Sequence, residues 1–569
     1  MYTASHALLD ALTQAGVSYI FGNFGSDHPA LLEAISEADA HGRPVPKIVT
    51  APYEMVGLAA AGGYAQVSGR PQAVVVHVEC GTQSLAGAVH NVSRARIPVL
   101  IFAGLSPFTQ HGEAKGSRNE FIQWIQDVSD QRGIVRGYMK YDNELRSPAN
   151  VEQIVWRSLQ LATSDPKGPV YLTGAREVME ARAKPHKGSP AAWRPLEPAA
   201  LSEDGLQALV RDLRGARRPL VVTSYMGRNP AAVPELVRLC ERLGAGVLES
   251  APSYMNFPHD NPLYQGCQWN EPHQNEALAE ADVVLVLDSD VPWIPTISRP
   301  NRRAKVHHID VDPLKQGMPL WGVETVRSFQ ADAFTALRQL NAALDRGPRA
   351  VKPSRGLADY EARHRRRRAA LAEAAATPEG RITTEFLVAA VRRHVDEQTI
   401  CLNEGITNYT AVWEHLSPTR PGGAFTSGAG SLGWSGGAAL GVKLARPEAT
   451  VIAISGDGCF MFSVPSSVFW MARRYDAPYL HIVLNNGGWR APRFSALAIH
   501  PDGYASRSPD LPISFETPPD YSGIAAAAGG AWARKIARPE EVEPALIEAL
   551  RAVRVERRAA VLDVEVVAK

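Results

Sequence analysis

Short apolar runs alternate with longer amphipathic stretches along the whole 569-residue chain. Each apolar run has the length of a buried strand, and the stretches between the runs space their apolar residues as helices do. Because such strands must be covered on both faces, the alternation predicts α/β domains built on parallel sheets with helices on both sides. The predicted buried strands are residues 17–21, 73–78, 98–103, 220–223, 283–287, 306–310, 451–454 and 479–484.

The chain is longer than one hydrophobic core supports, and about three or four domains are expected. Two segments interrupt the alternation, and we interpret both as linkers: residues 178–203 and residues 346–381. The predicted domains are therefore 1–180, 200–345 and 380–569. The second linker carries a basic run that ends at Arg368. A solvated linker helix is the preferred interpretation of this run, and a phosphate-binding segment is the alternative.

The first and last domains share a sequence pattern. In each, a helix of small residues ends at an Arg-Pro pair, Arg70-Pro71 or Arg446-Pro447, and an apolar strand then runs into a glycine-containing turn. Another helix leads to a second strand that begins after a proline. We interpret the pattern as two related α/β domains flanking a different one. Chance similarity is the alternative, since strand–helix–strand units recur in every parallel sheet.

Composition excludes several classes of function. With 60 basic and 59 acidic residues the net charge is +1, so no nucleic-acid partner is expected. No apolar stretch approaches the roughly 18 residues of a membrane span, and the amino terminus does not resemble a signal peptide. Five scattered cysteines without a CxxC pair predict neither a zinc site nor disulfides. We expect a cytoplasmic protein that binds no membrane and acts on a small molecule.

Gly456-Asp457-Gly458 and Asn485-Asn486 are the strongest local signals. The aspartate follows one predicted strand and the asparagines end the next, so both lie at the carboxyl edge of a parallel sheet, where such sheets bind ligands. Carboxylate and amide oxygens suit Mg²⁺ or Ca²⁺, and the glycines let the backbone approach an oxyanion closely. A plain turn is the alternative for either motif taken alone.

This pair of motifs, with 29 positions from Asp457 to Asn486, resembles the cofactor motif of thiamine-diphosphate enzymes, although the spacing is slightly long. The resemblance covers essentially the whole chain and is greatest to the benzoylformate decarboxylase and acetolactate synthase branch. It implies the thiamine-diphosphate-enzyme fold, with pyrimidine-binding, central and diphosphate-binding domains. It also implies a cofactor that spans two subunits, so a homodimer is the minimum assembly and a homotetramer is expected.

The same resemblance assigns roles around the cofactor. Asp457, the Asn486 side chain and the Gly488 carbonyl are expected to bind the metal. Leu432 is expected to be the apolar wedge beneath the two rings of thiamine diphosphate, and the Gly430 carbonyl to accept from its 4′-amino group. The full set of expected cofactor-binding residues is Thr407, Gly430, Leu432, Gly456, Gly458, Cys459 and Asn485.

Glu54 precedes the segments Gly-Tyr-Ala and Ser-Gly-Arg-Pro, as the cofactor-activating glutamate of these enzymes does. By itself, a glutamate at a helix start could be only a favourable partner of the helix dipole. The thiazolium C2 proton is too weakly acidic to leave unaided, and a carboxyl group against the aminopyrimidine favours the imino form that accepts it. Burial is expected to raise the pKa of Glu54 and keep it protonated long enough to donate.

Five residues are expected on the substrate side. Ser26 and His77 match the benzoylformate decarboxylase pattern, one to hold a substrate carboxylate and one for proton transfer, with a core histidine as the alternative for His77. His111 falls in a loop where decarboxylases often place histidines. Trp489 and Arg490 directly follow the predicted metal-binding loop, residues 485–488, which is called the metal loop below. Both residues are expected to face the substrate. Arg490 is interpreted as a carboxylate clamp or, equally, as a solvent-exposed arginine.

These residues predict a lyase or transferase that cleaves or forms a carbon–carbon bond next to a carbonyl. Decarboxylation of a 2-oxo acid, with or without ligation to an aldehyde or other carbonyl, is the leading interpretation, and a lyase of acyloins or 2-hydroxyacyl-CoA is the alternative. A non-catalytic regulatory subunit is a further alternative. So is a nicotinamide-dependent dehydrogenase, because Gly428-Ala-Gly430-Ser-Leu-Gly433 matches a dinucleotide fingerprint after a short, weak strand. Some relatives carry a flavin or nucleotide in the central domain, and no fingerprint within 204–345 decides whether FAD binds here.

Overall fold

The computed structural model of the chain describes residues 1–346, 352–508 and 511–567. Three six-stranded sheets follow one another along the chain, and every pairing between neighbouring strands in them is parallel. The predicted α/β architecture of three domains is therefore confirmed. Among the described residues, no helix is both long and apolar enough to cross a bilayer.

The amino-terminal domain has six strands and eight helices. Its strands are β1 (Tyr19–Gly22), β2 (Lys47–Thr50), β3 (Gln72–Val76), β4 (Val99–Leu105), β5 (Tyr141–Leu145) and β6 (Val170–Ala175). Its helices are α1 (Ala4–Gln14), α2 (Pro29–Ala40), α3 (Glu54–Ser68), α4 (Val78–Ser84), α5 (Ala88–Arg94), α6 (Ile122–Ile125), α7 (Val151–Thr163) and α8 (Arg176–Glu180). The strand order across the sheet is β2-β1-β3-β4-β6-β5.

The central domain has a different sheet. Its strands are β7 (Pro219–Thr223), β8 (Gly246–Ser250), β9 (Tyr264–Gln268), β10 (Val283–Leu287), β11 (Lys305–Asp310) and β12 (Arg327–Gln330). Its helices are α9 (Glu203–Gly215), α10 (Ala232–Leu243), α11 (Glu276–Glu280) and α12 (Ala333–Asp345). The order β12-β11-β10-β7-β8-β9 is that of dinucleotide-binding sheets, with a switch point between β7 and β10.

The carboxy-terminal domain follows the linker helix α13 (Leu357–Ala374). Its strands are β13 (Thr399–Glu404), β14 (Ala424–Thr426), β15 (Thr450–Gly456), β16 (Leu480–Asn485), β17 (Trp532–Ile536) and β18 (Ala560–Glu565). Its helices are α14 (Thr384–Arg392), α15 (Tyr409–Leu416), α16 (Trp434–Ala445), α17 (Asp457–Phe462), α18 (Pro465–Arg474), α19 (Ala491–Ile499), α20 (Tyr504–Arg507), α21 (Tyr521–Gly529) and α22 (Val542–Arg554).

The two outer sheets have the same topology. The order β14-β13-β15-β16-β18-β17 repeats that of the first sheet when the strands of each domain are counted from its own first strand. The predicted relation between the outer domains is thus confirmed, and α3 and α16 are equivalent elements of the repeat. All eight predicted strands coincide with observed ones. The second is too long, because β3 ends at Val76 and the chain then turns into α4.

The second linker contains the helix α13, as predicted, and its residues 347–351 lie outside the described residues. The basic run is not simply solvated, because the Arg363 and Arg367 side chains are only 16% and 19% exposed. Two arginines of its basic run form ion pairs with neighbouring domains. Arg363 pairs with Glu280 of the central domain at 2.5 Å, and Arg367 pairs with Glu414 of the carboxy-terminal domain. The basic run therefore docks the helix between two domains.

The helices α3 and α16 pack with their backbones in close contact. A Cβ atom added to Gly441 of α16 would lie 1.8 Å from the Ala60 carbonyl oxygen, and one added to Gly63 of α3 would lie 2.3 Å from that of Ala438. Only glycine allows this approach at either position. The pair unites the apolar cores of the two outer domains into one cluster, which also includes Val56 and Leu440.

Because backbone atoms rather than a flexible side chain block the added methyl group, Gly441→Ala should force the two helices apart. We expect a loss of about 1–3 kcal/mol or more in the free energy of unfolding, measured by chemical denaturation. Gly215→Ala is the matched control, since no atom of the described residues lies within 4 Å of its added Cβ atom. Equal stability of the Gly441→Ala variant and the control would contradict the close packing.

Candidate active site

The predicted metal ligands come together at the carboxyl edge of the third sheet. Asp457 follows β15 and is buried; its Oδ2 accepts the Gly488 N–H at 2.9 Å and its Oδ1 accepts the Gly458 N–H at 2.7 Å. Burial raises the pKa of Asp457, while these N–H groups lower it. Asn486 follows β16, and its Oδ1 is buried without a hydrogen-bond partner among the described residues. A buried orphan oxygen beside a carboxylate fits a metal ligand set of hard oxygens.

The metal loop is held in a conformation that requires glycine. Gly488 has a φ of 134°, and an added Cβ atom would lie 2.3 Å from the carbonyl oxygen of Ile513. The loop also pairs with residues 513–515: the Trp489 N–H donates to Ile513 at 2.9 Å, and the Phe515 N–H donates to the Gly487 carbonyl at 2.9 Å. The backbone at the predicted metal site is therefore fixed from a second segment.

Trp489 and Arg490, the two predicted substrate residues, make contacts within this loop. A Cβ atom added to Gly458 would lie 2.1 Å from the Trp489 Nε1 atom, so the indole rests on the start of α17, and its N–H is buried without a partner among the described residues. The Arg490 guanidinium donates to the Asn486 carbonyl at 3.1 and 3.3 Å. Arg490 thus supports the loop, and contact of either side chain with a substrate stays a prediction.

The remaining predicted cofactor residues surround the same edge. Asn485 donates through Nδ2 to Asp563 of β18 at 3.0 Å, and burial raises the pKa of Asp563 to about 6. Cys459 lies in α17, where burial raises the pKa of its thiol well above the usual range, so the thiol is neutral. Gly456 ends β15, and within the described part of the chain no atom lies within 4 Å of its added Cβ atom, which leaves its backbone open to a ligand.

Thr407 lies in a short 3₁₀ helix, Ile406–Asn408, at the end of β13. It lines a cavity of about 600 Å³ between the start of α15, one face of α19 and a central-domain loop. Trp269 of that loop stacks on Tyr409 with ring centroids 4.2 Å apart. The cavity adjoins the metal loop through Ala491. Its central-domain wall is a feature that the sequence motifs did not reveal.

The predicted wedge segment is anchored by the amino-terminal domain. The Gly430 N–H donates to His90 Nε2 at 3.2 Å, and the next residue, Ser431, exchanges two hydrogen bonds with the Asn91 side chain at 2.9 and 3.1 Å. Leu432 follows and is only half-buried, so its side chain is available to contact a ligand. On the other side of the wedge, the buried carboxylate of Glu404 accepts the first two N–H groups of α16 at 2.9 and 2.8 Å.

Glu54, the first residue of α3, is buried, and the Asn23 side chain donates to its Oε1 at 3.0 Å. Burial raises the pKa of Glu54, opposed by its own helix N–H, by Asn23 and by His77. An added Cβ atom on Gly81 of α4 would lie 3.0 Å from Glu54 Oε1. The carboxyl group therefore points towards the turn that carries His77, and its raised pKa is the property expected of the activating acid.

Ser26 and His77 lie in adjoining turns of the amino-terminal domain. His77 Nδ1 lies 2.5 Å from Asp27 Oδ1, and its Nε2 lies 3.0 Å from Gln126 Oε1. Ser26 Oγ is buried and has no partner among the described residues, which leaves it free for a ligand. Asp27 and Gln126 were missed by the sequence reasoning. Adjacency to Ser26 was a signal for Asp27, whereas Gln126 lies in no motif.

His111 does not join this group. It lies exposed in a loop, where its backbone N–H donates to Glu113 at 2.7 Å and its ring contacts Gln110 at 3.1 Å. A role for His111 in the reaction stays a prediction.

Three family descriptions match this chain in the order of its three sheets. They are the "N-terminal TPP binding domain", the "central domain" and the "C-terminal TPP binding domain" of the thiamine pyrophosphate (thiamine diphosphate) enzymes, and they match residues 2–133, 206–339 and 405–564. The chain belongs to the thiamine-diphosphate enzyme family. The resemblance inferred from Asp457, Asn486 and Glu54 is thereby confirmed.

Similar proteins share this organisation over nearly their whole length. Benzoylformate decarboxylase of Pseudomonas aeruginosa is 26% identical over 561 residues, which is 97% of each chain. Acetolactate synthase of Bacillus subtilis is 23% identical, covering 86% of this chain and 82% of its own. The solved structure of 4-hydroxybenzoylformate decarboxylase from Rhodococcus jostii superposes with a TM-score of 0.79 at 22% identity, covering 100% of this chain and 99% of that one.

Family membership establishes the general activity. The chain is an enzyme that uses thiamine diphosphate to cleave or form a carbon–carbon bond next to a carbonyl, as the sequence predicted. The structural likeness at this identity supports the fold.

The central sheet has the strand order of a dinucleotide site, but side chains fill its switch point. The N–H groups of Ser224 and Tyr225, which follow β7, both donate to the Asp288 carbonyl after β10 at 3.0 Å. The Asp288 carboxylate is fully buried and pairs with Arg228. The Tyr225 hydroxyl donates to Asp310 at 2.6 Å. The backbone donors that would hold a dinucleotide phosphate are thus used internally, and the residues present do not fit FAD.

Because side chains fill the switch point of the central sheet, we expect the purified protein to show no flavin absorbance between about 350 and 500 nm. We also expect it to release neither flavin nor adenine nucleotide on denaturation. Thiamine diphosphate added before gel filtration and recovered from the same extract is the internal positive control. Recovery of flavin or nucleotide in a one-to-one ratio with the chain would show that the switch point opens.

Proposed function

We propose that this enzyme decarboxylates a 2-oxo acid, with or without ligation of the product to a second carbonyl, and that it uses Mg²⁺ to hold thiamine diphosphate. The observation that carries the proposal is the presence in one chain of a complete metal loop and of a separate group formed by Glu54, His77 and Ser26. A relative named benzoylformate decarboxylase that matches 97% of the chain supports the same substrate class.

Mg²⁺ fits the donor set of the metal loop. The described residues contain no group of three or more His, Cys, Asp or Glu side chains that would hold a metal alone. A site with one carboxylate and neutral oxygens suits a cation that takes its remaining ligands from a diphosphate and water. Asp457, Asn486 Oδ1 and the Gly488 carbonyl would hold the ion, and the backbone at Gly458 and Cys459 would lie against the diphosphate.

When bound, thiamine diphosphate would supply a carbon nucleophile for the substrate carbonyl and an acceptor for the electron pair of the broken bond. Glu54 holds a proton in a buried site and offers it to the cofactor ring. The free Ser26 hydroxyl binds the substrate carboxylate, and His77 supplies a proton at Nε2. The cavity beside Thr407 and α19 is the proposed space for the substrate side chain.

We also propose that the working enzyme is at least a homodimer and that its expected form is a homotetramer. Among the described residues, no hydrogen bond or ion pair joins Glu54 to the metal loop. Exposed apolar side chains flank both groups: Phe121 and Ile125 are 92% and 78% exposed in the segment of Gln126, and Phe462 is 49% exposed at the end of α17. Such side chains favour a protein interface. The cytoplasmic location stays a prediction.

Replacing Glu54 by glutamine keeps the shape of the side chain and removes its acid. We expect the turnover of 2-oxo acids by Glu54→Gln to fall about 10²–10⁴-fold, because the proton donor to the cofactor is lost. The measurement is steady-state release of CO₂ from a panel of aliphatic and aromatic 2-oxo acids. Thiamine diphosphate binding, followed by calorimetry, should persist. The exposed Glu33→Gln is the control, and undiminished turnover by Glu54→Gln would overturn the assignment.

Asn486→Ala removes the orphan oxygen from the metal loop. We expect the Mg²⁺ concentration needed for half-maximal thiamine diphosphate binding to rise by about tenfold or more, since even supporting residues of metal sites change affinity by about 10–100-fold. Calorimetric titration of cofactor at a series of Mg²⁺ concentrations measures this shift. Asn301→Ala, at an exposed position of the central domain, is the control. An unchanged Mg²⁺ requirement would exclude Asn486 as a ligand.

A further inference from the structure

Both ring nitrogens of His77 face oxygen atoms. Asp27 Oδ1 lies 2.5 Å from Nδ1, and Gln126 Oε1 lies 3.0 Å from Nε2. A neutral imidazole donates at only one nitrogen, so this arrangement fits a ring that is protonated at both. The hydrogen bond with Asp27 raises the pKa of His77, whereas burial lowers it.

The fold builds a specific place for Asp27. Its Oδ2 accepts the Val78 N–H at 3.0 Å, and added Cβ atoms on Gly104 and Gly25 would lie 2.0 Å from Asp27 Oδ2 and His77 Nδ1 respectively. Glycine at these two positions leaves the room that the ion pair occupies. Although burial raises the pKa of Asp27, His28 and His77 together hold it well below its usual range, so Asp27 is charged at neutral pH.

Three side chains face this pair from the elements around it. Glu54 of α3 acts on His77 electrostatically, and Gln126 caps Nε2. His28 Nδ1 lies 3.0 Å from Asp27 Oδ1 and accepts the Gly25 N–H at 3.1 Å. His77 Nδ1 makes the shorter contact with Asp27 Oδ1, at 2.5 Å, so we assign the shared proton to His77.

We propose that Asp27 is a positioning residue, which fixes His77 with Nδ1–H towards its own carboxylate and Nε2–H towards the substrate side, ready to donate. This inference rests on the proposed function. Conversion of a 2-oxo acid anion into CO₂ and an aldehyde consumes one proton, which replaces the lost carboxylate on carbon. His77 gives that proton from Nε2 and is reloaded from water, which reaches the ring because its side chain is 23% exposed.

The Gln126 oxygen occupies the position that we assign to the substrate atom that accepts the proton from His77. The Gln126 Nε2 atom is buried without a partner among the described residues, so the amide group is hydrogen-bonded only through its oxygen. A substrate oxygen or carbon that replaces this amide would meet the His77 N–H directly. Gln126 thereby keeps the donor paired while no substrate is bound.

The test is Asp27→Asn. Asparagine keeps the volume and an acceptor for the Val78 N–H, but its NH₂ group faces His77 Nδ1, which must then accept and leaves the ring neutral. We expect kcat for 2-oxo acids to fall about 10²–10⁴-fold, with thiamine diphosphate affinity unchanged. Because His77 acts protonated, the alkaline fall of kcat should move to lower pH, towards the ordinary histidine pKa of about 6.5.

Three companion variants separate this role from a structural one. His77→Gln should lose as much activity as Asp27→Asn, and the double variant should lose no more than either, since the two residues act as a unit. The exposed Asp39→Asn variant should keep the wild-type pH profile. An Asp27→Asn enzyme that keeps wild-type kcat and pH profile would overturn the proposal.

A second readout does not depend on turnover. In protein labelled with ¹⁵N-histidine, the signal missing from His77→Gln identifies this ring; it should show two protonated nitrogens at pH 7 in wild type and a neutral ring in Asp27→Asn. A neutral His77 in wild type would also overturn the proposal, even if Asp27→Asn fails to fold. A wild type that cleaves no 2-oxo acid would refute the proposed function, while the ring signal would still decide the state of His77.

Discussion

The close contact of α3 with α16 fixes the positions on which the rest of the site depends. Glu54 is the first residue of α3, and the wedge segment that contains Leu432 leads directly into the start of α16. Because Gly63 and Gly441 bring the two helices together at backbone distance, neither helix can slide or rotate without a steric clash. The proposed activating acid and the predicted wedge are thus held in one rigid unit. Because the outer domains share one topology, the two helices of this unit are equivalent elements of the repeat.

Much of the fold and part of the site could be predicted from sequence, where the cause is local. Parallel strands have an unbroken apolar pattern, and the metal loop couples a strand end to glycines that the backbone needs. Directions of side chains were harder to predict. Arg490 was placed next to the metal loop, but its orientation depends on the φ of Gly488 and on the pairing with residues 513–515, which lie beyond any local pattern.

The residues that sequence reasoning missed are those whose partners are distant along the chain. Asp27 and Gln126 reach His77 across 50 and 49 positions. In the central domain, too, contacts between distant residues decide what the sequence pattern alone does not predict. Its alternation of strands and helices matches a dinucleotide-binding sheet, yet the state of its switch point is decided by contacts among Tyr225, Asp288 and Asp310. Arg96 of the amino-terminal domain covers the Tyr225 ring at 4.5 Å, so even a neighbouring domain contributes to the closure.

Two buried carboxyl groups close to His77 are tuned in opposite directions. Among the described residues, Glu54 has a single side-chain donor, Asn23, and burial raises its pKa. Asp27 is also buried, but it faces two imidazoles and a backbone N–H, and its pKa falls. Environments that separate the pKa values of neighbouring acids assign them different tasks. Glu54 is suited to hold a proton for the cofactor ring, and Asp27 to hold a charge that keeps the proton on His77. The donors that face each carboxyl group, and not its burial alone, therefore set the direction of its pKa shift.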